Sequence, residues 1–278
     1  MSRGVLYIAV GEEHINYAKK SAESVKQHCP SLNTAVICES RFESDYFDKI
    51  VPEIRSQDSW GSDSHPKMHY LSKTPFEKTI YMDNDTLVVD EITELYDMLK
   101  RFDICASHAP VRKYKLDSYP TTDIPSCFPE YNTGVLVYNS PSSTQVGDLF
   151  QEWQKWYGTF ADKGITVDQP SFRKAAYGTD VSMATLPPEY NCRTVKNGYV
   201  QEKVKIVHGT NKELQKVAKK LNKKAGEPRI FVSEGGRCFS VRYQAAWSCR
   251  SYLFIEEVIN SLIQDGVRTT LKKGLQRL

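Results

Sequence analysis

The sequence is poor in the features that define several common protein classes. Its seven cysteines are widely spaced and form no CxxC pair, so we expect reduced thiols in a cytoplasmic protein, with neither a disulfide framework nor a zinc knuckle. No apolar run approaches the roughly 18 residues that a membrane span needs. The 37 basic side chains nearly balance the 34 acidic ones, which argues against nucleic acid as a partner.

Several sequence motifs and tracts are missing as well. The GxGxxG fingerprint, the P-loop and the GxSxG nucleophile elbow do not occur. Internal repeats and Gly/Ser-rich linkers are also absent, which leaves no place to divide the first 210 residues. We therefore expect one domain over residues 1–210, followed by a basic, mostly helical extension over residues 211–278 that packs on or beside it.

The sequence does contain a regular alternation of strand and helix signals. Val5–Val10 is an apolar run of strand length, and Thr34–Cys38 is a second one. Between them, apolar residues recur every three or four positions, which predicts a helix. A strand, a helix and a strand in this order favour parallel pairing. The alternation continues to about residue 208 and predicts an α/β fold. Residues 108–131, rich in proline, interrupt it and predict a lid or a binding loop.

The strongest chemical signal is a pair of aspartates at the end of a buried strand. Asp83 and Asp85, separated by Asn84, follow the apolar run Lys78–Met82 directly. Two carboxylates this close together favour a neutralising cation, and Mn²⁺ or Mg²⁺ would complete its coordination with the phosphates of a nucleotide. The alternative is a pair of solvated aspartates that cap the next element. The apolar runs on both sides favour the metal site.

Other polar residues lie next to apolar elements and have two interpretations each. His208 ends a late strand and precedes Gly209, so it is either a third metal ligand or a structural histidine. Asn132 and Asp168 are either turn and N-cap residues or hydrogen-bond partners for sugar hydroxyls. Local sequence alone leaves the alternatives for His208 open, and it favours the turn or N-cap interpretation for Asn132 and Asp168.

Six segments in this order resemble a known family, the nucleotide-diphospho-sugar transferases. The likeness is to GT-A glycosyltransferases related to glycosyltransferase family 8, which includes glycogenin and bacterial galactosyltransferases, and it covers about residues 4–224. The resemblance implies a GT-A, Rossmann-like fold with a mixed, mostly parallel sheet flanked by helices. The segments that carry it are Lys67, Pro75–Val88, Glu130–Asn139, Val167–Phe172, Leu186–Asn191 and Val204–Gly209.

The same resemblance implies a role for each matched position. Asp83, Asp85 and His208 would hold Mn²⁺ or Mg²⁺ on the donor diphosphate, and Asp168 and Gln169 would be the catalytic residues that position the donor sugar. The implied contacts to the nucleotide sugar are Ala9, Val10, His14, Tyr17, Lys67, Asn84, Asn132 and Thr133. Either Tyr17 or His14 would stack on the base.

One departure from the family pattern concerns the phosphate site. The family ends this region with His-x-x-Gly-x-x-Lys, whereas here the glycine and the lysine are shifted to Gly209 and Lys212. The resemblance therefore assigns no phosphate contact to Lys212.

The resemblance implies a metal-dependent glycosyltransferase that moves a sugar from a nucleotide-diphosphate donor, with UDP as the expected carrier, to a glycan, protein or lipid acceptor, with retention of configuration. One alternative is a phosphatase of the haloacid-dehalogenase type with Asp83 as nucleophile, although Thr86 comes one residue too early for that motif. The other is a protein that binds a nucleotide sugar without turnover.

The C-terminal region is strongly basic. Residues 212–224 contain six lysines and one glutamate, and Val267, Leu271, Leu275 and Leu278 share one helical face. Either this region contacts an anionic membrane or acceptor, or it is a solvated helix face with a docked terminal helix. Membrane contact would make the cytoplasmic protein a peripheral one.

Overall fold

A seven-stranded sheet runs through the part of the chain that the computed structural model describes, residues 2–54, 67–110, 123–142, 144–210, 213–232 and 237–240. In chain order the strands are β1 (Arg3–Ile8), β2 (Asn33–Cys38), β3 (Lys49–Pro52), β4 (Lys78–Met82), β5 (Thr86–Val88), β6 (Ile104–His108), β7 (Tyr131–Asn139), β8 (Met183–Leu186), β9 (Cys192–Arg193), β10 (Gly198–Val200), β11 (Ile206–His208), β12 (Arg229–Val232) and β13 (Arg237–Ser240). The helices are α1 (Gly11–His28), α2 (Lys67–Tyr70), α3 (Leu95–Met98), α4 (Thr144–Ala161), α5 (Gln169–Gly178) and α6 (Leu214–Asn222).

The order of the main sheet is β3-β2-β1-β4-β7-β6-β8. Strands β3, β2, β1 and β4 pair in parallel, as do β6 and β8, whereas β7 runs antiparallel between β4 and β6. The sheet is therefore mixed and mostly parallel, and the predicted β-α-β opening is confirmed.

The two faces of the sheet are covered by different helices. In β1, Val5 and Tyr7 pack in a core with Ala22 of α1, whereas Leu6 packs on the opposite face with Trp153 of α4. Successive strand side chains point to opposite faces, so an uninterrupted apolar run is what a strand between two helical layers requires.

A smaller sheet, β5-β11-β9, lies next to the end of β4. Its register pairs His208 with Thr86 on one side and with Arg193 on the other. Helix α1 fixes β5, because the Ser24 hydroxyl accepts a 2.9 Å hydrogen bond from the Val88 amide. This sheet brings residue 208 to the aspartates at positions 83 and 85.

The described part of residues 211–278 contains one helix and two strands. Helix α6 is followed by β12 and β13, and β12 pairs antiparallel with β10, which lies before residue 210. The apolar positions of β12 find a partner strand far away in sequence, so local periodicity did not indicate them. Residues 111–122 of the predicted lid and residues 241–278 lie outside the described residues. Within the described ranges, no helix combines the length and apolar character that crossing a membrane requires.

Candidate active site

A cavity of about 340 Å³ opens at the edge of the sheet where β1 and β4 end. Most of the residues expected to bind metal or donor line it together: Val10, His14, Tyr17, Lys67, Asp83, Asn84, Asp85, Asn132, Thr133, Asp168 and Gln169. His208 is fully buried next to the aspartates. Ala9 is different, because its side chain is buried in the core on the α1 face of the sheet and does not line the cavity.

A tight turn brings the two aspartates to the same wall of the cavity. The Asp83 amide donates to the Gly134 carbonyl at 2.7 Å, which continues the β4-β7 pairing up to the aspartate. The chain then turns back, since both the amide and the hydroxyl of Thr86 donate to the Asp83 carbonyl, at 3.2 and 2.8 Å. Between them, the Asn84 amide group donates to the Ile8 carbonyl at 2.9 Å and ties the turn to the end of β1.

Asp83, Asp85 and His208 form a group that fits a divalent cation. One ligand atom from each lies within 4.8 Å of the others. His208 Nε2 is 3.1 Å from Asp85 Oδ1 and 3.6 Å from Asp83 Oδ2. Two carboxylates and an imidazole nitrogen form a donor set that suits Mn²⁺, and their convergence is unfavourable without a positive charge between them.

A chain of hydrogen bonds fixes which nitrogen of His208 carries the proton. Asn132 Oδ1 accepts two hydrogen bonds, one from the backbone amide of Gly134 at 3.1 Å and one from Asn191 Nδ2 at 2.8 Å. Asn191 Oδ1 then faces His208 Nδ1 at 2.7 Å and accepts a hydrogen bond from the Nδ1–H group. His208 Nε2 therefore carries no proton, so its lone pair is the one that a metal ion would bind.

The absence of a side chain at Gly134 makes room for the His208 ring. A Cβ atom at this position would lie 2.0 Å from His208 Cε1 and 2.7 Å from Asp83 Oδ2. No side chain fits there without moving the imidazole, so the glycine of the Asn-Thr-Gly segment allows β7 to approach the candidate metal group this closely.

Lys67 joins the two halves of the site. Its buried ammonium group contacts Asp83 Oδ1 and Asp168 Oδ2, each at 3.0 Å, and donates to the Thr133 carbonyl at 3.1 Å. Burial by itself lowers the pKa of Lys67, but the carboxylates of Asp168 and Asp83 outweigh it and raise that pKa. Burial likewise raises the pKa of Asp83, but the charge of Lys67 and a 2.7 Å hydrogen bond from Tyr81 help to lower it to about 2. Asp83 is therefore ionised at neutral pH.

Asp168 precedes α5 at the N-cap position, yet its side chain makes no capping hydrogen bond. Its backbone carbonyl accepts instead from Trp153 Nε1 and from the Ser171 hydroxyl, which fixes the chain at this point. The carboxylate accepts a 2.7 Å hydrogen bond from the Thr133 hydroxyl at the cavity wall. The interpretation of Asp168 as a simple N-cap is thus wrong, and its carboxylate is available to the cavity.

Sequence reasoning assigned no role to three residues of this site. Tyr81 and Arg193 line the cavity, and Asn191 orients His208 from behind. Arg193 Nη1 lies 2.6 Å from His208 Nε2. Burial raises the pKa of Asp85, whereas contact with His208 and the charge of Arg193 lower it below its usual value. Asn191 belongs to a segment that carries the family resemblance, but Arg193 had no such signal, because only the β9-β11 register brings it to the site.

The mixed, mostly parallel sheet with helices on both faces matches that of solved GT-A proteins, so the predicted fold class is confirmed. Among solved structures, the galactosyltransferase LgtC in complex with donor and acceptor sugar analogues is similar with a TM-score of 0.56 and 15% identity, over 75% of this chain and 87% of LgtC. An active-site mutant of LgtC gives 0.56 and 14%, over 87% of this chain and 99% of the mutant. The glycosyltransferase GlyE of Streptococcus pneumoniae TIGR4 gives 0.51 and 14%, over 76% of this chain and 56% of GlyE.

No protein-family model matches this sequence, and the search of curated proteins gave no significant relative. The fold is therefore shared with glycosyltransferases at low sequence identity.

Proposed function

We propose that the protein is a metal-dependent glycosyltransferase that moves a sugar from a nucleotide-diphosphate donor, most simply a UDP-sugar, to a glycan, protein or lipid acceptor. The observation that carries this proposal is the Asp83-Asp85-His208 group at the wall of the cavity, on a fold shared with a galactosyltransferase solved with donor and acceptor analogues. The donor set favours Mn²⁺, with Mg²⁺ as the alternative.

Each side of the cavity has a distinct task in this proposal. Bound at Asp83, Asp85 and His208, the cation would neutralise the charge that develops on the leaving diphosphate. Asn84 Oδ1 is buried and makes no hydrogen bond to any described residue, which leaves an unpaired acceptor in the turn between the two aspartates. Asp168 and Gln169, on the other wall, would orient the sugar, and transfer would proceed with retention. His14 and Tyr17 both line the cavity, so either ring can stack on the base.

The other two hypotheses gain less from the structure. Lys67 and Tyr81 both contact Asp83 Oδ1, which makes this carboxylate a poor nucleophile for a phosphatase. A protein that binds a nucleotide sugar without turnover would show the same binding properties but would release no nucleotide from the donor. Measuring the release of free UDP from UDP-sugars, with and without acceptor candidates, separates it from an enzyme.

We expect the protein to be stabilised against heat by one nucleotide or nucleotide sugar only when Mn²⁺ is present, because a ligand that binds the native state raises its stability. The measurement is a thermal-unfolding panel with UDP, GDP, CMP and their sugars, each with Mn²⁺ or with EDTA. Asp85→Ala should abolish the shift, and Asp162→Ala, the same change at an exposed position, should keep it. An equal shift in the Asp85→Ala variant would refute the metal site.

We further propose that the protein acts in the cytoplasm and that the basic region 211–278 binds an anionic membrane surface or an acceptor. Sedimentation with anionic liposomes, comparing the full chain with a chain that ends at Gly266, tests this contact. Equal sedimentation of the two would exclude the terminal segment as a membrane anchor.

A further inference from the structure

The contact between Arg193 and His208 is unusual for a candidate metal ligand. The two residues are paired on the parallel strands β9 and β11, so their side chains lie on the same face of the small sheet. Arg193 Nη1 is 2.6 Å from His208 Nε2, which is hydrogen-bonding distance. A guanidinium group can only donate, so Nε2 accepts this bond.

His208 has a single lone pair to offer. Its other ring nitrogen donates to Asn191 Oδ1, and the imidazole is fully buried, so the ring cannot turn toward a different partner. The Nε2 lone pair lies in the ring plane and serves one partner at a time. Arg193 and a metal ion therefore compete for the same atom.

We propose that Arg193 is a phosphate-binding residue, which yields the His208 Nε2 lone pair to the metal and donates instead to the diphosphate of the donor. This inference rests on the proposed function and adds to it a second cation on the side of the leaving group.

The position of Arg193 supports this role. It lines the cavity together with both aspartates of the metal group and is only partly buried, so its guanidinium group can move into the open volume. Within the described part of the chain, its contact to His208 is its one side-chain hydrogen bond, which leaves most of its five donors for a ligand. Planar guanidinium donors match phosphate oxygens in pairs.

The charges around the cavity also favour such a cation. Asp83, Asp85 and Asp168 contribute three carboxylates, and among the described lining residues only Lys67 and Arg193 are permanently basic. All three protons of the Lys67 ammonium group are engaged, by Asp83, by Asp168 and by the Thr133 carbonyl. Arg193 is thus the basic residue of this wall with donors to spare for a diphosphate.

The test compares metal and nucleotide binding, because the proposal predicts opposite effects on the two. In Arg193→Met we expect Mn²⁺ alone, measured by the EPR signal of free Mn²⁺, to bind about tenfold more tightly, since a competitor and a nearby positive charge are gone. We expect UDP, measured by calorimetry in saturating Mn²⁺, to bind about tenfold or more weakly, since charge-assisted hydrogen bonds are lost.

Two further variants complete the design. Arg193→Lys keeps the charge but not the planar donors, so its UDP affinity should lie between those of the wild type and Arg193→Met. Lys196→Gln removes an exposed positive charge outside the cavity wall and should leave both affinities within about twofold of the wild type.

Every outcome bears on the proposal. If Arg193→Met weakens Mn²⁺ and UDP together, Arg193 holds the metal group in place and the proposal is wrong. If it changes neither affinity, the residue is outside the reaction and the proposal is also wrong. If the wild type itself binds neither Mn²⁺ nor UDP, the proposed function fails with it, whereas a wild type that binds both leaves the proposed function standing whatever Arg193 does.

Discussion

Single residues set the geometry of the metal group, and Gly134 is the tightest of them. Its Cα faces the His208 ring so closely that a Cβ would lie 2.0 Å from Cε1. His208 is in turn oriented by Asn191, which Asn132 orients. This chain of neutral groups therefore keeps the proton of His208 on Nδ1 and leaves the lone pair on Nε2.

We expect Gly134→Ala to lower the affinity for Mn²⁺ by about 10- to 100-fold, because the added methyl group displaces the imidazole from the aspartates. Overpacking should also cost about 1–3 kcal/mol of unfolding free energy. Gly158→Ala is the matched control: Gly158 lies in α4 with nothing within 4 Å of a Cβ. That variant should bind Mn²⁺ like the wild type. Unchanged Mn²⁺ binding in Gly134→Ala would show that His208 is not a ligand.

The low pKa of Asp83 predicts a pH dependence with a definite sign. The pKa is about 2 in the folded protein against an ordinary value of 3.8, so the unfolded chain binds this proton more tightly. The stability that Asp83 contributes is therefore fully present above its ordinary pKa and is lost as the pH falls through about 2. In EDTA, the difference in unfolding free energy between the wild type and Asp83→Asn should narrow by about 2 kcal/mol as the pH falls from above 3.8 to about 2. Urea unfolding at several pH values measures it, and parallel curves would contradict it.

At the scale of elements, α1 fixes the strand that carries the chain back from the aspartates. Ser24 Oγ accepts from the Val88 amide and donates to the Ser21 carbonyl at 2.6 Å, with both serines buried. Ser21 in turn contacts the Thr86 hydroxyl. The smaller sheet, which contains His208, thus depends on two serines of α1. The sequence predicts this helix only from its apolar stripe.

We expect Ser24→Ala to lower the unfolding free energy by about 1–3 kcal/mol, because it leaves the buried Val88 amide without a partner. Ser142→Ala, at an exposed position, should change it by less than about 0.5 kcal/mol. Urea unfolding of both variants provides the comparison, and equal stabilities would show that β5 does not depend on this bond.

Local patterns were sufficient to predict the β1-α1-β2 unit and the aspartate turn, because each depends on residues close in sequence. Arg193 and the strands β12 and β13 were not predicted, because their positions depend on residues distant in sequence. Arg193 reaches the site only through the pairing of β9 with β11. Strand β12 pairs with β10, and helix α6 lies between these two strands in the sequence. The Asn-Thr-Gly segment was identified, but what Gly134 faces is a tertiary contact that no spacing reveals.

At the scale of the whole molecule, the described part of the C-terminal extension shares a core with the residues before it. Ala218, Leu221 and Phe231 pack with Val200 and Val204, on both sides of the expected boundary at residue 210. A division of the chain at this point would expose apolar surface on both pieces.

We therefore expect Leu221→Ala to lower the stability of the whole chain by about 2–5 kcal/mol, in a single unfolding transition. Its exposed neighbour provides the control, since Lys220→Ala should be close to neutral. Differential scanning calorimetry distinguishes the cases: a separate transition that alone responds to Leu221→Ala would mean that the extension folds on its own.

The single ammonium group of Lys67 has a consequence for any mutational study of this protein. Asp83 belongs to the candidate metal group and Asp168 to the proposed sugar side, yet both share the same buried counter-charge. Removing either carboxylate leaves the Lys67 ammonium group to the other carboxylate alone. The effects of the two substitutions on the free energy of unfolding will therefore not add. A double-mutant cycle between positions 83 and 168 therefore measures thermodynamic coupling across the whole cavity.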